Sequence, residues 1–316
     1  MKTRKISSGI LLIAAAAVLT LGGCKKKKET ITPDPVKDAD TEQASALDNS
    51  TAENIASDIE AMGSEGSENS NLTTYRPSGE NGESGITIAA CASVITSSAT
   101  PKTFTVDFGT TGCTGFDGKT RTGKLIYDFS ASASGATRYR HPGFSMSVTG
   151  QNYVVDGYSV TITNKVITNT TPSGAPAGTN LTWSIVANIT IAKPSGGTIV
   201  WNCNRTKELT NTSDTDCYTG QSNPINWSKA IIKLNGTASG TNASGETFTS
   251  VLSNLIRSFK CSPDLAHVHR HPFIGGTITY TPGNRYPRII NYGNGTDCDF
   301  NAIVTINNVN YNVVLP

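Results

Sequence analysis

His267, His269 and His271 alternate with Val268 and Arg270 in a chain of 316 residues. On a strand, where successive side chains point to opposite faces, all three imidazoles would project the same way, as a Zn or Cu site requires. Pro263 and Pro272 flank the stretch and work against a regular strand, so an exposed polar loop is the first expectation and a metal site the second. Oxygen ligands for calcium are offered by Asn294, Asp297, Asp299 and Asn301, and by Asp214 with Asp216. Calcium loops carry more carboxylates at fixed spacing, so both clusters read first as turns in which Asn and Asp bond their own backbone. Asp107, Asp117, Asp128, Asp156 and Glu208 are candidates for a glycosidase carboxylate pair, whose separation only the fold can set. No Gly-x-Ser-x-Gly elbow and no His-Glu-x-x-His is present, so no residue is assigned a catalytic role and a non-enzymatic protein is favoured. Gly118-Lys119-Thr120 ends like a phosphate loop, but Cys113 stands where its first glycine belongs.

Two further sets of side chains suit a glycan or lipid headgroup. Tyr139, Phe144, Tyr153, Tyr158, Trp183, Trp201 and Trp227 suit a sugar-stacking platform, although core packing claims most aromatics. Lys119, Arg121, Arg138, Arg140, Arg205 and Lys207 suit an acidic ligand, although a solvated surface is the default for most of them.

The elements that must position these residues are strands. With 16% charged residues and 30 glycines, the chain does not fit a coiled coil or helical bundle. Runs rich in Thr, Val, Ile and Tyr, bounded by Gly, Pro, Asn and Ser, recur at 86–95, 103–108, 123–129, 144–148, 153–163 and 181–191. They continue at 198–202, 230–234, 247–255, 276–281, 288–292 and 302–314. Nothing alternates strands with helical patterns, so the expected class is all-β and antiparallel, either a β-sandwich or an open curved barrel. One helix is predicted near 41–62, where Leu47, Ile55, Ile59 and Met62 share a face; it either docks on the body or lengthens a disordered stalk. Gly63 and the polar run after it are expected to end that helix.

The formal charge of +2 conceals an uneven distribution. The first 23 residues carry +3, Lys25 to Lys28 carry +4, residues 29–85 carry −11 and residues 86–316 carry +6. An acidic stalk under a mildly basic head follows, and no nucleic-acid partner is expected.

An internal echo runs through the head. Val106-Asp107-Phe108-Gly109 leads to Cys113, and Ile290-Asn291-Tyr292-Gly293 leads to Cys298, with Cys91 and Cys261 upstream of each. A duplicated module explains this. Matched copies should bridge alike, which pairs Cys91 with Cys113 and Cys261 with Cys298, and leaves Cys203 with Cys217 as the remaining disulfide.

At the amino terminus, Lys2, Arg4 and Lys5 precede an apolar run at 10–21 that is too short to span a bilayer and reads as a signal segment. Leu21-Gly22-Gly23-Cys24 resembles a bacterial lipobox, which implies lipidation at Cys24, palmitate among the acyl chains. The stretch 104–127, with Asp107-Phe108-Gly109 and Cys113-Thr114-Gly115-Phe116-Asp117-Gly118-Lys119-Thr120-Arg121, resembles a motif of uncharacterised Bacteroidota outer-membrane or surface lipoproteins. The closing segment from Asn291-Tyr292-Gly293 through Cys298 is similar to theirs. That resemblance implies an outer-membrane or cell-surface location and assigns no activity; the histidine stretch departs from it.

The expected organisation is a signal peptide at 1–23, a lipid-anchored acidic stalk at 24–85 and a disulfide-braced β domain at 86–316. The expected function is a non-enzymatic binding or structural module of the envelope, attached to the membrane through its lipid, with an envelope glycan or another envelope protein as partner. Beyond that lipid no cofactor is required, Zn or Ca being the candidates. The alternatives are an envelope glycan hydrolase or metal-dependent enzyme built on the three histidines, and a lipid carrier with an apolar cavity.

Overall fold

The computed structural model describes residues 39–68, 91–96, 103–115, 118–261 and 272–314. Its one long helix, α1, covers Ala39–Glu68. The strands are β1 (Ser93–Thr96), β2 (Thr103–Asp107), β3 (Cys113–Thr114), β4 (Thr120–Asp128), β5 (Ser145–Val155), β6 (Tyr158–Asn169) and β7 (Leu181–Ala192). They continue with β8 (Thr198–Leu209), β9 (Ile231–Thr241), β10 (Thr247–Ser258), β11 (Phe273–Pro282), β12 (Arg288–Asn294), β13 (Asn301–Ile306) and β14 (Val309–Val314).

Every strand pairs antiparallel with its neighbour in the chain, in the order β1-β2-β4 and onward to β14, with the short β3 also bonded to β4. Period-2 patterning drives this. In β7, Leu181, Trp183, Ile185, Ala187, Ile189 and Ile191 are all buried, and the residues between them are not. Asp156-Gly157 and Asn307-Asn308, all with positive φ, make two-residue hairpin turns whose twist matches the strands. They divide the runs 153–163 and 302–314, which read as single strands, into hairpin arms.

The sheet is single and open, so of the two expected architectures the sandwich is not the one adopted. The second layer is α1, whose Ala52, Ile55, Ala56, Ile59 and Met62 belong to the same core as Phe104, Tyr127, Trp183 and Trp201. The helix therefore docks on the body. Around one turn of it, the Ile59 carbonyl accepts from Tyr127 on β4 while Glu60 meets Lys165 on β6 and Lys207 on β8. Four strand spacings amount to about 19 Å, wider than the ~10 Å of a helix, so the sheet curls round it. Register shifts in β4 and in β10, the latter at Asn254 with φ 48°, supply bends of the kind bulges produce.

Gly63 does not end the helix. A Cβ there would lie 2.5 Å from the Met146 sulfur and 2.6 Å from the Tyr127 ring, and one at Gly66 would lie 2.3 Å from Phe104. These glycines let the last turns of α1 lie directly on the sheet, which offsets their poor helix propensity of about 1 kcal/mol each.

Cys91–Cys113 and Cys261–Cys298 are disulfides, as the echo predicts. The echo is also geometric: the Asp107 and Asn291 side chains each accept from the backbone N–H two residues on, Gly109 and Gly293, both at 2.9 Å. The third bridge is absent, and Cys203 and Cys217 are buried free thiols. Cys203 lies mid-strand with six residues of β8 still to run, roughly 20 Å of extended chain before the connection that carries Cys217. That connection folds on itself, with the Cys217 thiol 3.6 Å from Asn211 Oδ1.

Two outcomes are expected. Gly66→Ala should lower urea stability by about 1–3 kcal/mol through overpacking against Phe104, measured by equilibrium unfolding. Iodoacetamide without reductant should label Cys203 and Cys217 only after unfolding, whereas Cys91, Cys113, Cys261 and Cys298 should require reduction, as read by peptide mass.

Candidate functional site

Directly paired residues in an antiparallel sheet share a face, so the register maps the inner surface. Across β6, β7 and β8 it runs Asn169/Trp183/Lys207, then Ile167/Ile185/Arg205, then Lys165/Ala187/Cys203. Cations thus occupy inward positions that alternation reserves for apolar side chains. The Lys165 side chain is 1% exposed, and that of Arg205 is 8% exposed.

Each of these cations meets an acid from α1. Asp48 bonds Lys193 at 2.5 Å and accepts the Ala243 N–H at 2.8 Å. Glu53 takes both terminal nitrogens of Arg205. Asp58 pairs with Lys119 and, at 3.5 Å, with Arg121. Glu60 accepts from Tyr139 at 2.9 Å and Lys207 at 3.2 Å, with Lys165 at 4.0 Å. Lys207 also sits 4.9 Å from the centroid of Trp227 and 5.4 Å from that of Tyr139, which stacks on Trp183.

Burial alone would raise the Glu60 pKa, but Lys207, Lys165 and the Tyr139 hydroxyl outweigh it and hold the carboxyl below its ordinary value. Burial pushes Lys165 down, against the pull of Glu60. The Cys203 thiol is pushed up by burial, so it stays protonated and unreactive near neutral pH.

Of the six basic residues expected mainly at a solvated surface, four hold helix acids, and Arg138 donates to the Ser67 carbonyl of the same helix. Arg140 donates to the Gln221 carbonyl. The signal was their parity: Arg205 and Lys207 fall in phase with Ile199, Trp201 and Leu209. Lys165 and Glu60, in the same network, were not singled out from sequence.

The other candidates are scattered. Asp107 pairs with Lys124 at 2.9 Å, Asp128 accepts from Ser130 N–H, Asp156 from Thr120 N–H, and Glu208 pairs with Lys233 at 2.6 Å. Asp214 and Asp299 accept backbone N–H groups two residues on, and Asn294 does the same, which is turn chemistry. His141 accepts from the Thr137 N–H at Nδ1 and lies 3.2 Å from the Gln221 carbonyl at Nε2, satisfied as the neutral imidazole. Asp117, His267, His269, His271 and Cys24 lie outside the described residues. Among the described residues, no group of three His, Cys, Asp or Glu is placed to hold a metal.

Away from the acids of α1, one row of the inner face runs on without a charged side chain. The row through Arg205 and Gly236 extends to Leu252, Ile278, Ile290, Val304 and Tyr311 on successive strands β10 to β14. Cover fades along it, from 5% exposure at Leu252 to 40% at Tyr311. Comparison with protein-family models, curated proteins and solved structures finds no match to this chain.

Glu60→Gln should destabilise the fold by about 3–5 kcal/mol, because it leaves Lys165 and Lys207 without their carboxylate. Since the folded pKa of Glu60 lies below the ordinary 4.5, its stabilisation is complete above that pH and is lost as pH falls through the lower folded value. Urea midpoints measured from pH 6 down to pH 3 should fall steeply in the wild type and less so in Glu60→Gln.

Proposed function

We propose that the chain is a non-enzymatic binding module of the cell envelope, tethered by acyl chains on Cys24, whose working surface is the partly exposed apolar row on the inner face of β11–β14. The supporting observation is the ladder Ile278, Ile290, Val304 and Tyr311, half-exposed or exposed and continuous with the core. Contiguous exposed apolar surface of this kind marks an interaction site. The outer face of the same strands differs: there Ile289 and Ile303 stand among Thr279, Thr305, Asn310 and Asn312. The buried acids favour binding over hydrolysis, because Asp48, Asp58 and Glu60 are each neutralised by a cation.

The purified chain should enhance the fluorescence of N-phenyl-1-naphthylamine. Val304→Asp, on the inner face, should reduce that enhancement at least about fivefold, while Ile303→Asp, one residue away on the outer face, should leave it unchanged. No enhancement with the wild type, or equal loss in both variants, overturns the reading.

A further inference from the structure

On β10, where the apolar ladder begins, lies an inner-face cation that no acid among the described side chains of α1 contacts directly. Arg257, on β10, pairs in register with Ile232 on β9 and Phe273 on β11, which places it on the inner face. Its guanidinium lies 4.1 Å from the centroid of the Phe273 ring, and that ring meets Tyr292 edge-on at 5.4 Å. The Arg257 Nε is buried and makes no hydrogen bond. Glu53 is the nearest acid to act on it, but both Glu53 oxygens are bonded to Arg205. Two guanidinium groups therefore share one carboxylate, and the excess positive charge sits on Arg257. A buried cation with an unused donor is costly unless an anion completes it.

The surroundings specify the rest of that anion. Phe273 and Tyr292 wall the cation, and the residue that follows Tyr292 on the same face of β12 is Ile290, a member of the ladder Ile278, Ile290, Val304 and Tyr311. From β10 to β14 this strip spans about 19 Å, against the roughly 15 Å that an acyl chain covers in half of a bilayer core. We infer that Arg257 receives the oxyanion head of a single-chain amphiphile whose hydrocarbon tail lies along Ile278, Ile290, Val304 and Tyr311. This rests on β11–β14 being the working surface and adds the chemical class of the ligand. Arg257 supplies charge-assisted donors, and Tyr292, whose pKa is pushed up to about 12 mainly by burial, remains a neutral hydroxyl donor.

The probes are radiolabelled laurate, dodecyl phosphate, dodecanol and acetate, used with the full-length chain. Laurate and dodecyl phosphate share the head chemistry and should compete for one site per chain; the tighter of the two identifies the source as a fatty acid or a phosphate lipid. Dodecanol and acetate should bind at least about tenfold more weakly, the first for want of charge and the second for want of a tail. Arg257→Gln should weaken laurate binding at least about tenfold and leave the naphthylamine response unchanged, with Arg257→Lys restoring part of the affinity. Because Arg257 has no carboxylate in contact among the described residues, Arg257→Gln should unfold at the same or higher urea concentration than the wild type, whereas a purely structural arginine would lower the midpoint. Tyr292→Phe should weaken laurate a fewfold without moving that midpoint. Laurate binding that is unaffected by Arg257→Gln, or matched by dodecanol, overturns the assignment. A naphthylamine response without laurate binding overturns it too and leaves the apolar surface standing; loss of both responses in the wild type removes the surface as well.

Discussion

The fold depends on opposite charges meeting inside it. Arg121, Lys165, Arg205 and Lys207 lie on the inner face of the sheet, where desolvation would expel them if nothing answered their charge. The answering charges all come from α1, whose Asp48, Glu53, Asp58 and Glu60 reach β4, β6 and β8 and two hairpin turns. Apolar contact from Ile55, Ile59 and Met62 supplies attraction, and the ion pairs fix where along the helix each strand must sit. A slip by one helical turn would leave several charges buried and unanswered at once.

Much of the architecture was legible in the sequence. Alternation revealed the strands, the Ile55, Ile59 and Met62 spacing revealed the helix, and the repeated Asp/Asn-aromatic-Gly run located two of the disulfides. Leu47, read on the same helix face, is 50% exposed in the first turns, which precede the core contacts. Long-range arrangement was not legible, because no local pattern says that Asp48 meets Ala243 or that Glu60 meets Lys207. Gly63 read as a helix terminator because its value lies in what it touches, Tyr127 and Met146, and those lie far along the chain. Cys203 and Cys217 were paired by arithmetic, whereas strand length keeps a mid-strand thiol from a thiol in the loop beyond. The basic residues were taken one by one as solvated, although their phase with neighbouring Ile and Trp already placed them inward.

The sheet is wider than the helix that lines it, and this inequality divides it into two regions with different physics. From β2 to β9 the inner face belongs to a closed core of aromatic and aliphatic side chains. Across β11 to β14 the cover of the same face falls away, from Tyr280 at 4% exposure to Tyr311 at 40% and Val309 at 51%. Arg257 stands near the border between them.

The helix precedes the sheet in the chain, and this bears on when the protein is finished. Each strand pairs with a sequence neighbour, so the meander assembles from local hairpins, a low-entropy-cost route. The helix does the opposite. Asp48 is bonded to Ala243, 195 residues later, so its charge cannot be answered until the β9–β10 hairpin has formed. Folding strictly in order of emergence would leave that charge without this partner until β9 and β10 are made. The first long element made completes its ion pairs and hydrogen bonds only after most of the sheet exists.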